Sequence, residues 1–286
     1  MLNEYAGECF GIDVERDGSS GGESARESRY IDAFLNQRVD GLILVGVTDT
    51  ANLRILEAQD FPVVVLDREA ADCNVRAVFS DHYRGALEAV GYLISLGHRE
   101  IGIISGPQDL NVSIERIRGW SDALLHNGLT PDRGKAVFAP FTAQGGYLAT
   151  HELLARAPIS AIFVSTDIQA AGLLRACREA GVFIPSDLSV VTFDGSDMAE
   201  FSAPPLTSVT QNVEQLAALA VTSVLDPECG GAGKGENVRE SERVDGGARQ
   251  GGRVRESGSD QGGDVSQPRA MIVPTRLTVR ESTKEI

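Results

Sequence analysis

Polar side chains stand at the ends of three short apolar runs of this chain, where each could contact a small molecule. They are Asp67, Thr166, Asp167 and Asp194. An ionised carboxylate accepts several hydrogen bonds, so Asp194 could bind neighbouring hydroxyls or amines of a ligand. Asp167 and Asp194 could instead cap the helices that follow them, a common use of Asp at such turns. Asp67 could reach the ligand or form a pair across a cleft.

Arg116 and Ser113 share one face of a helix that we predict over 113–128. The guanidinium of Arg116 presents five donors in a planar fork, and beside Asp194 it would suit a polyol or a purine-like ring. The alternatives for Arg116 are a solvated helix charge or an ion pair with Glu115 or another neighbour. Ser113 could contact the same ligand or cap the helix.

The sequence shows no motif of the common enzyme classes. No dinucleotide-binding or phosphate-binding glycine loop follows a predicted strand, and no two of the four histidines have metal-ligand spacing. The four cysteines are scattered and form no C-x-x-C pair, so we interpret them as reduced thiols. We therefore expect a binding protein without a metal or a cofactor, and not an enzyme.

The charge of the chain argues against direct contact with nucleic acid. Its formal net charge is −15, whereas proteins that bind DNA rely on clusters of Lys and Arg. No secretory signal is visible at the N-terminus, and no apolar run approaches the roughly 18–20 residues that a membrane span needs. We expect a cytoplasmic protein with no membrane partner.

Apolar runs rich in Val and Ile alternate with amphipathic stretches, which is typical of an α/β fold with parallel sheets. The predicted strands are 41–46, 62–67, 100–106, 135–140, 160–166 and 188–194, with an alternating strand over 271–282. The predicted helices are 25–37, 50–59, 84–97, 113–128, 145–157, 168–181 and 212–225. The strands are almost continuously apolar, which indicates burial on both faces.

These elements are too many for a single doubly wound sheet, so the sequence predicts two such lobes joined by a hinge. One lobe would comprise residues 1–79 plus 211–226, and the other residues 80–210. The C-terminal strand in 269–286 would rejoin the lobes. Hinged α/β lobes bind ligands in the cleft at the carboxyl ends of their strands.

Residues 227–268 have a different composition. They are rich in Gly, Glu, Arg and Ser and contain no Leu, Ile or aromatic residue. Such a segment cannot bury enough apolar surface to offset its ordering entropy, so we predict a disordered insertion. A regulatory or interaction segment is the alternative.

Several segments, in order, resemble the LacI/GalR family of transcriptional regulators. They are QRVDGLIL (37–44), FPVVVLDR (61–68), SDHYRGALEAVGYLISLGHREIGIISGP (80–107), NVSIERIRGW (111–120), STD (165–167) and PSDLSVVTFDGSDMAEFSAPPLTSVTQ (185–211). Singly these matches are weak, but together they span most of residues 10–226. The resemblance implies a periplasmic-binding-protein-like domain that closes on a small polar effector and acts as a homodimer.

The resemblance also implies roles for particular residues. Asp194 and Arg116 would contact the effector, and Phe79 and Phe141 occupy positions that form an aromatic wall in the family. An isolated Phe belongs to the core at least as often, so both interpretations of Phe79 and Phe141 stay open. Operator DNA would be bound only through a helix-turn-helix segment.

Departures from the family pattern leave two other functions open. The family begins with a helix-turn-helix, and its first N-lobe strand precedes the segment that AGECFGIDV (6–14) matches, so we expect both to be missing here. Thr166 stands where the family usually has Asn, and Gly195 where it usually has a second Asp. The alternatives are a solute-binding protein of a sugar transporter, which would need an export signal, and a truncated, non-functional regulator.

Overall fold

The computed structural model describes residues 24–47, 50–59, 61–67, 73, 75–225 and 270–286. Within them the chain forms two separate sheets flanked by helices, which confirms the predicted α/β class with two lobes. The predictions for residues 1–23 and for the insertion 227–268 lie outside the described residues.

The N-lobe sheet has the strand order β1-β2-β3-β9, and every neighbouring pair is parallel. Its strands are β1 (Leu42–Val45), β2 (Val63–Leu66), β3 (Arg76–Ser80) and β9 (Ala270–Val273). The helices of this lobe are α1 (Ser24–Asn36), α2 (Thr50–Ala58) and α8 (Val213–Leu225). Leu216 and Ala220 of α8 are buried against Val64 and Val78, so a late segment of the chain completes the N-lobe core.

The C-lobe sheet has the order β10-β8-β7-β6-β4-β5 and is parallel except for β10 at its edge. Its strands are β4 (Ile101–Ser105), β5 (Ala136–Phe138), β6 (Ala161–Val164), β7 (Ser189–Asp194), β8 (Thr207–Thr210) and β10 (Arg276–Thr278). Its helices are α3 (His82–Ser95), α4 (Asn111–His126), α5 (Ala143–Arg156), α6 (Asp167–Ala180) and the single turn α7 (Asp197–Glu200). Phe163 lies in the core under α3 and α4, and Ile162 in the core under α5 and α6. Burial on both faces explains the continuous apolar runs.

Three helices begin two residues earlier than the apolar periodicity predicted, at His82, Asn111 and Ala143. The side chain of Asp81 accepts the backbone N–H of Arg84, and that of Thr142 accepts the backbone N–H of Gly145. These caps fix the starts of α3 and α5. Because a cap precedes the first apolar position of its helix, apolar periodicity alone places the start too late.

The chain passes between the lobes after β3, after β8 and between β9 and β10. The single strand predicted over 271–282 is therefore wrong in detail. It is divided into β9, which pairs with β3, and β10, which pairs antiparallel with β8. Pro274 lies between them and has no N–H for a sheet hydrogen bond. Strands β3 and β8 were not among the predicted strands.

Helices α5 and α6 pack with their backbones in close contact at two glycines. A Cβ on Gly172 would lie 1.9 Å from the carbonyl oxygen of Ala143, and one on Gly146 would lie 2.0 Å from that of Gln169. Both obstacles are backbone atoms, so a side chain could fit only if the helices moved apart.

The substitution Gly172→Ala is expected to lower the free energy of unfolding by about 1–3 kcal/mol, because overpacking outweighs the better helix propensity of alanine. Gly91→Ala in α3 is the matched control, since a Cβ there would meet no atom within 4 Å. The control is expected to be neutral or stabilising by up to about 1 kcal/mol. Urea denaturation of both variants measures the difference, and equal effects would contradict the backbone contact.

Candidate functional site

The C-lobe strands bring several predicted site residues to one edge of the sheet. Asp194 ends β7, Thr166 and Asp167 follow β6, and Arg116 lies on the second turn of α4, which follows β4. Asp67 comes directly after β2 of the N-lobe sheet. In open α/β sheets the carboxyl ends of the strands form the ligand-binding edge.

Arg116 is the centre of this cluster, and its side chain is only 3% exposed. One terminal nitrogen donates to the carbonyl oxygen of Ser165 at 2.5 Å. The other lies 3.2 Å from Nδ1 of His82 and 3.8 Å from Oδ1 of Asp194. The guanidinium also stacks on the ring of Phe193, with Cζ 3.9 Å from the ring centroid.

The solvated charge and the ion pair with Glu115 are wrong, whereas Arg116 does pair with a neighbouring carboxylate, that of Asp194. Arg116 is not a solvated helix charge, and Glu115 pairs with Arg118 at 2.9 Å instead. Burial lowers the pKa of the Arg116 guanidinium, and the carboxylates of Asp194, Asp67 and Asp167 oppose that effect. Only Nε lacks a hydrogen-bond partner among the described residues. Both terminal nitrogens of the predicted donor fork therefore hydrogen-bond within the protein itself.

Asp194 is half-buried beside Arg116, with 31% of its side chain exposed. Its Oδ1 accepts from Nε2 of Gln211 at 2.9 Å, and its Oδ2 accepts from the backbone N–H of Asp167 at 3.3 Å. Its φ angle of 109° is rare for a residue other than glycine, and such strain is typical of functional positions. The capping interpretation of Asp194 is wrong, because Ser196 is the N-cap residue of α7.

Thr166, and not Asp167, caps the helix that follows β6. Thr166 is the N-cap of α6, and its hydroxyl accepts the backbone N–H of Gln169 at 3.2 Å. The buried carboxylate of Asp167 accepts from both the backbone N–H and the hydroxyl of Ser196, each at 2.7 Å. It therefore ties the start of α6 to the loop after β7, and a ligand contact of either residue stays a prediction.

Ser113 and Phe141 meet beside the end of β4. A Cβ on Gly106 would lie 2.0 Å from Cζ of Phe141 and 2.5 Å from Oγ of Ser113, so Gly106 makes room for both. The N-cap of α4 is Leu110, which makes the capping interpretation of Ser113 wrong. The Ser113 hydroxyl is buried and has no hydrogen-bond partner within the described residues.

Phe79 lies apart from this group in sequence and in sheet. It is half-buried in β3 of the N-lobe, opposite Ile272 of β9. Its place in an aromatic wall stays a prediction.

His82 is a member of the cluster that sequence reasoning missed. It is buried, and its Nδ1 faces Arg116. Its Nε2 lies 3.2 Å from Oδ1 of Asp67, a close polar contact without regular hydrogen-bond geometry. Because a guanidinium can only donate, Nδ1 must accept and the ring proton is assigned to Nε2, facing Asp67. Burial and the neighbouring Arg116 lower the pKa of His82, so the ring is neutral at pH 7.

Two polar chains thus connect the lobes at this edge. The first is Asp67–His82–Arg116–Asp194, which begins after an N-lobe strand and ends on β7. In the second, the hydroxyl of Ser80 at the end of β3 donates to Gln211 at 2.7 Å, and Gln211 donates to Asp194. The only sequence signal for His82 and Gln211 is that each stands next to a lobe crossing.

Within the described residues, no group of three or more His, Cys, Asp or Glu side chains could hold a metal ion. Over the same parts of the chain, no helix is long and apolar enough to cross a membrane.

Comparison with known proteins agrees with this architecture. Residues 90–247, more than half of the 286, match the family of periplasmic binding protein-like domains. The transcriptional repressor CytR of Escherichia coli K12 is 30% identical over 225 residues, which cover 78% of this chain and 66% of the repressor. The chain belongs to the periplasmic-binding-protein-like family, on its LacI branch. The regulator CelR of Thermobifida fusca is 35% identical over 224 residues, which cover 73% of this chain and 65% of CelR.

Solved LacI-family structures show the same fold. A CelR–cellobiose complex superposes with a TM-score of 0.71 at 29% identity, covering 91% of this chain and 71% of that one. A sugar-binding LacI-family regulator from Escherichia coli, complexed with phosphate, gives a TM-score of 0.68 at 26% identity, covering 92% and 84%. The resemblance inferred from the sequence is confirmed. The chain spans just under two thirds of the length of CytR and CelR.

The titration of Asp194 gives a pH-dependent prediction for this LacI-family domain. Burial raises the pKa of the Asp194 carboxyl to about 6, and Arg116 opposes the rise. The folded chain then holds this proton more tightly than the unfolded chain, so the Asp194 contribution to stability falls as the pH increases from about 4 to about 6.

Asp194→Asn removes that titration. The difference in free energy of unfolding between the Asn variant and the parent is expected to shift in favour of the variant as the pH rises from 4 to 7. The expected shift is on the order of 1–2 kcal/mol. Parallel urea denaturation at several pH values measures this difference, and the exposed Asp197→Asn of α7 serves as the control. A difference that does not vary with pH would show that the Asp194 pKa is not raised.

Proposed function

We propose that this chain is the effector-binding domain of a transcriptional regulator, and that its lobes close on a small polar ligand such as a sugar or a nucleobase-like ring. The observation that carries the proposal is the polar chain from Asp67 through His82 and Arg116 to Asp194. It connects an N-lobe strand end to the edge of the C-lobe sheet. A ligand that engages Asp194 would act on groups tied to both lobes, which is how a hinge responds to binding.

Unpartnered buried hydroxyls support a polar ligand. The hydroxyls of Ser105, Ser113 and Ser165 have no hydrogen-bond partner in the described part of the chain. Buried polar groups are normally satisfied, so unsatisfied ones beside a strand edge favour a site that is completed by a ligand or ordered water. The half-buried ring of Phe141 beside Ser113 supplies an apolar surface that a sugar face could cover.

The regulatory part of the proposal concerns DNA. CytR and CelR are named as transcriptional regulators. With a formal net charge of −15, this domain would act on operator DNA through a separate helix-turn-helix segment, in the cytoplasm and as a homodimer. Effector binding would then change the spacing of the two DNA-binding segments.

A ligand screen tests the effector proposal. The melting temperature of the full chain is measured with D-ribose, D-glucose, cellobiose, adenosine or cytidine. The radius of gyration of the folded chain with each probe is measured separately by small-angle X-ray scattering. A probe present at about 100 times its Kd stabilises the folded state by about 2.7 kcal/mol, which raises the melting temperature by several degrees. We expect at least one probe to do so and to reduce the radius of gyration. No stabilisation by any of the five would contradict the sugar or nucleobase effector.

A further inference from the structure

Three carboxylates surround Arg116 at the ligand edge of the described residues, and the exposure of these charged groups bears on which ligands the site can accept. The carboxylates are those of Asp67, Asp167 and Asp194, and the one cation among them is Arg116. Asp194 and Asp67 have 31% and 36% of their side chains exposed, whereas Arg116 has 3%. A ligand approaching this edge therefore meets negative charge first.

Arg116 is poorly placed to bind an anion. Recognition of a phosphate or carboxylate by Arg normally uses two parallel N–H donors of the fork. Here the terminal nitrogens are directed at Ser165, His82 and Asp194, and one face of the guanidinium is covered by Phe193. Nε is the one guanidinium nitrogen without a hydrogen-bond partner among the described residues, and it is buried, so the fork does not present two parallel donors to a ligand.

Several backbone donors at this edge also hydrogen-bond within the protein. The N-terminus of a helix is a common phosphate site because its first N–H groups have no partners within the helix. At α6 the N–H of Asp167 donates to the Asp194 carboxylate, and the N–H of Gln169 donates to Thr166. The N–H of Ser196, in the loop after β7, donates to the Asp167 carboxylate. At these three N–H groups the protein places its own carboxylates and a hydroxyl where an anionic ligand could otherwise bind.

What remains for a ligand suits hydroxyl and amine groups. The carboxylates of Asp194 and Asp67, each about one third exposed as a side chain, can accept hydrogen bonds. The buried hydroxyls of Ser105, Ser113 and Ser165 can donate or accept. We propose that this site selects uncharged or positively charged ligands rich in hydroxyl or amine groups and rejects phosphorylated and carboxylated ones. The inference rests on the proposed function, since it concerns the specificity of the same cleft.

Matched sugars test the selectivity by isothermal titration calorimetry of the full chain. The pairs are D-glucose with glucose 6-phosphate and D-ribose with ribose 5-phosphate, and D-glucosamine serves as the cationic member. We expect each phosphate ester to bind at least about tenfold more weakly than its parent sugar, because two half-exposed carboxylates repel it. Glucosamine is expected to bind at least as tightly as glucose. A phosphate ester that binds within tenfold of its parent sugar, or more tightly, would overturn the inference.

Inorganic phosphate provides a second measurement that does not depend on which sugar binds. Wild-type chain is expected to show no saturable phosphate binding at millimolar concentrations, and the double variant Asp67→Asn/Asp194→Asn is expected to bind phosphate more tightly than the exposed-site control Asp197→Asn. Saturable binding to the wild type that is lost in Arg116→Lys would overturn the inference.

The two arms separate the inference from the proposed function. If none of the sugars binds, the sugar-effector proposal is contradicted, and the phosphate titration alone decides the charge selectivity. If a phosphate ester binds better than its sugar, the site is an effector site whose charge preference is the reverse of the one inferred.

Discussion

Replacing Arg116 with alanine is expected to lower the free energy of unfolding by about 3–5 kcal/mol, the usual effect of removing one partner from a buried ion pair. The change would leave the Ser165 carbonyl oxygen without its donor and remove the cation that faces Asp194. It would also remove the guanidinium that covers the ring of Phe193. Because the structure buries Arg116, its loss affects folding as well as any ligand contact.

Urea denaturation followed by circular dichroism measures the effect of Arg116→Ala. Arg118→Ala is the matched control on the same helix, because Arg118 is 55% exposed and pairs with Glu115 in an i, i+3 arrangement. Its guanidinium also lies over the ring of Tyr83, 4.2 Å from the centroid. An exposed pair of that kind contributes at most about 1 kcal/mol. Arg116→Lys, which keeps the charge but not the planar fork, is expected to lie between the two. If Arg116→Ala costs no more than Arg118→Ala, the guanidinium does not hold the cluster together.

Replacing Asp194 with asparagine is expected to weaken binding of an effector by at least about 30-fold, which corresponds to about 2 kcal/mol. The variant loses the charge opposite Arg116 and one strong acceptor for ligand hydroxyls. Asparagine tolerates the positive φ of 109° better than most residues, so the chain should still fold. Calorimetric titration with a sugar identified by the thermal screen gives the affinity.

The control for Asp194→Asn is Asp197→Asn, which removes the same charge from an exposed position on α7. It is expected to bind the sugar as tightly as the parent chain. If Asp194→Asn binds the sugar as tightly as the parent chain does, Asp194 is not part of the effector site. If both variants bind more weakly than the parent, the loss is a general charge effect.

Much of the scaffold could be predicted from the sequence, because its signals are local. The apolar runs at 100–106, 160–166 and 188–194 became the central strands β4, β6 and β7. Strands buried on both faces have few polar positions, so the pattern identifies them without any knowledge of their neighbours. The polar residues at the ends of these runs meet at one edge because parallel strands end together.

What the sequence left open depends on contacts between distant segments. Three residues illustrate this: Asp67 lies after an N-lobe strand, His82 just beyond the first crossing, and Gln211 just beyond the second. Periodicity describes one element at a time, so it carries no information about which side chains meet across a hinge. The division of the last strand into β9 and β10 has the same origin, because each half is assigned by its partner strand.

The charge at Arg116 shows most clearly what each level decides. Its residue type and its place on a helix that follows a strand are written in the sequence, and they predicted a donor aimed at a ligand. Only the tertiary structure decided that Ser165, His82, Asp194 and Phe193 surround it, which turns most of that donor fork toward the protein. A buried charge must be paired where it lies, and its partners come from wherever the fold brings acceptors together.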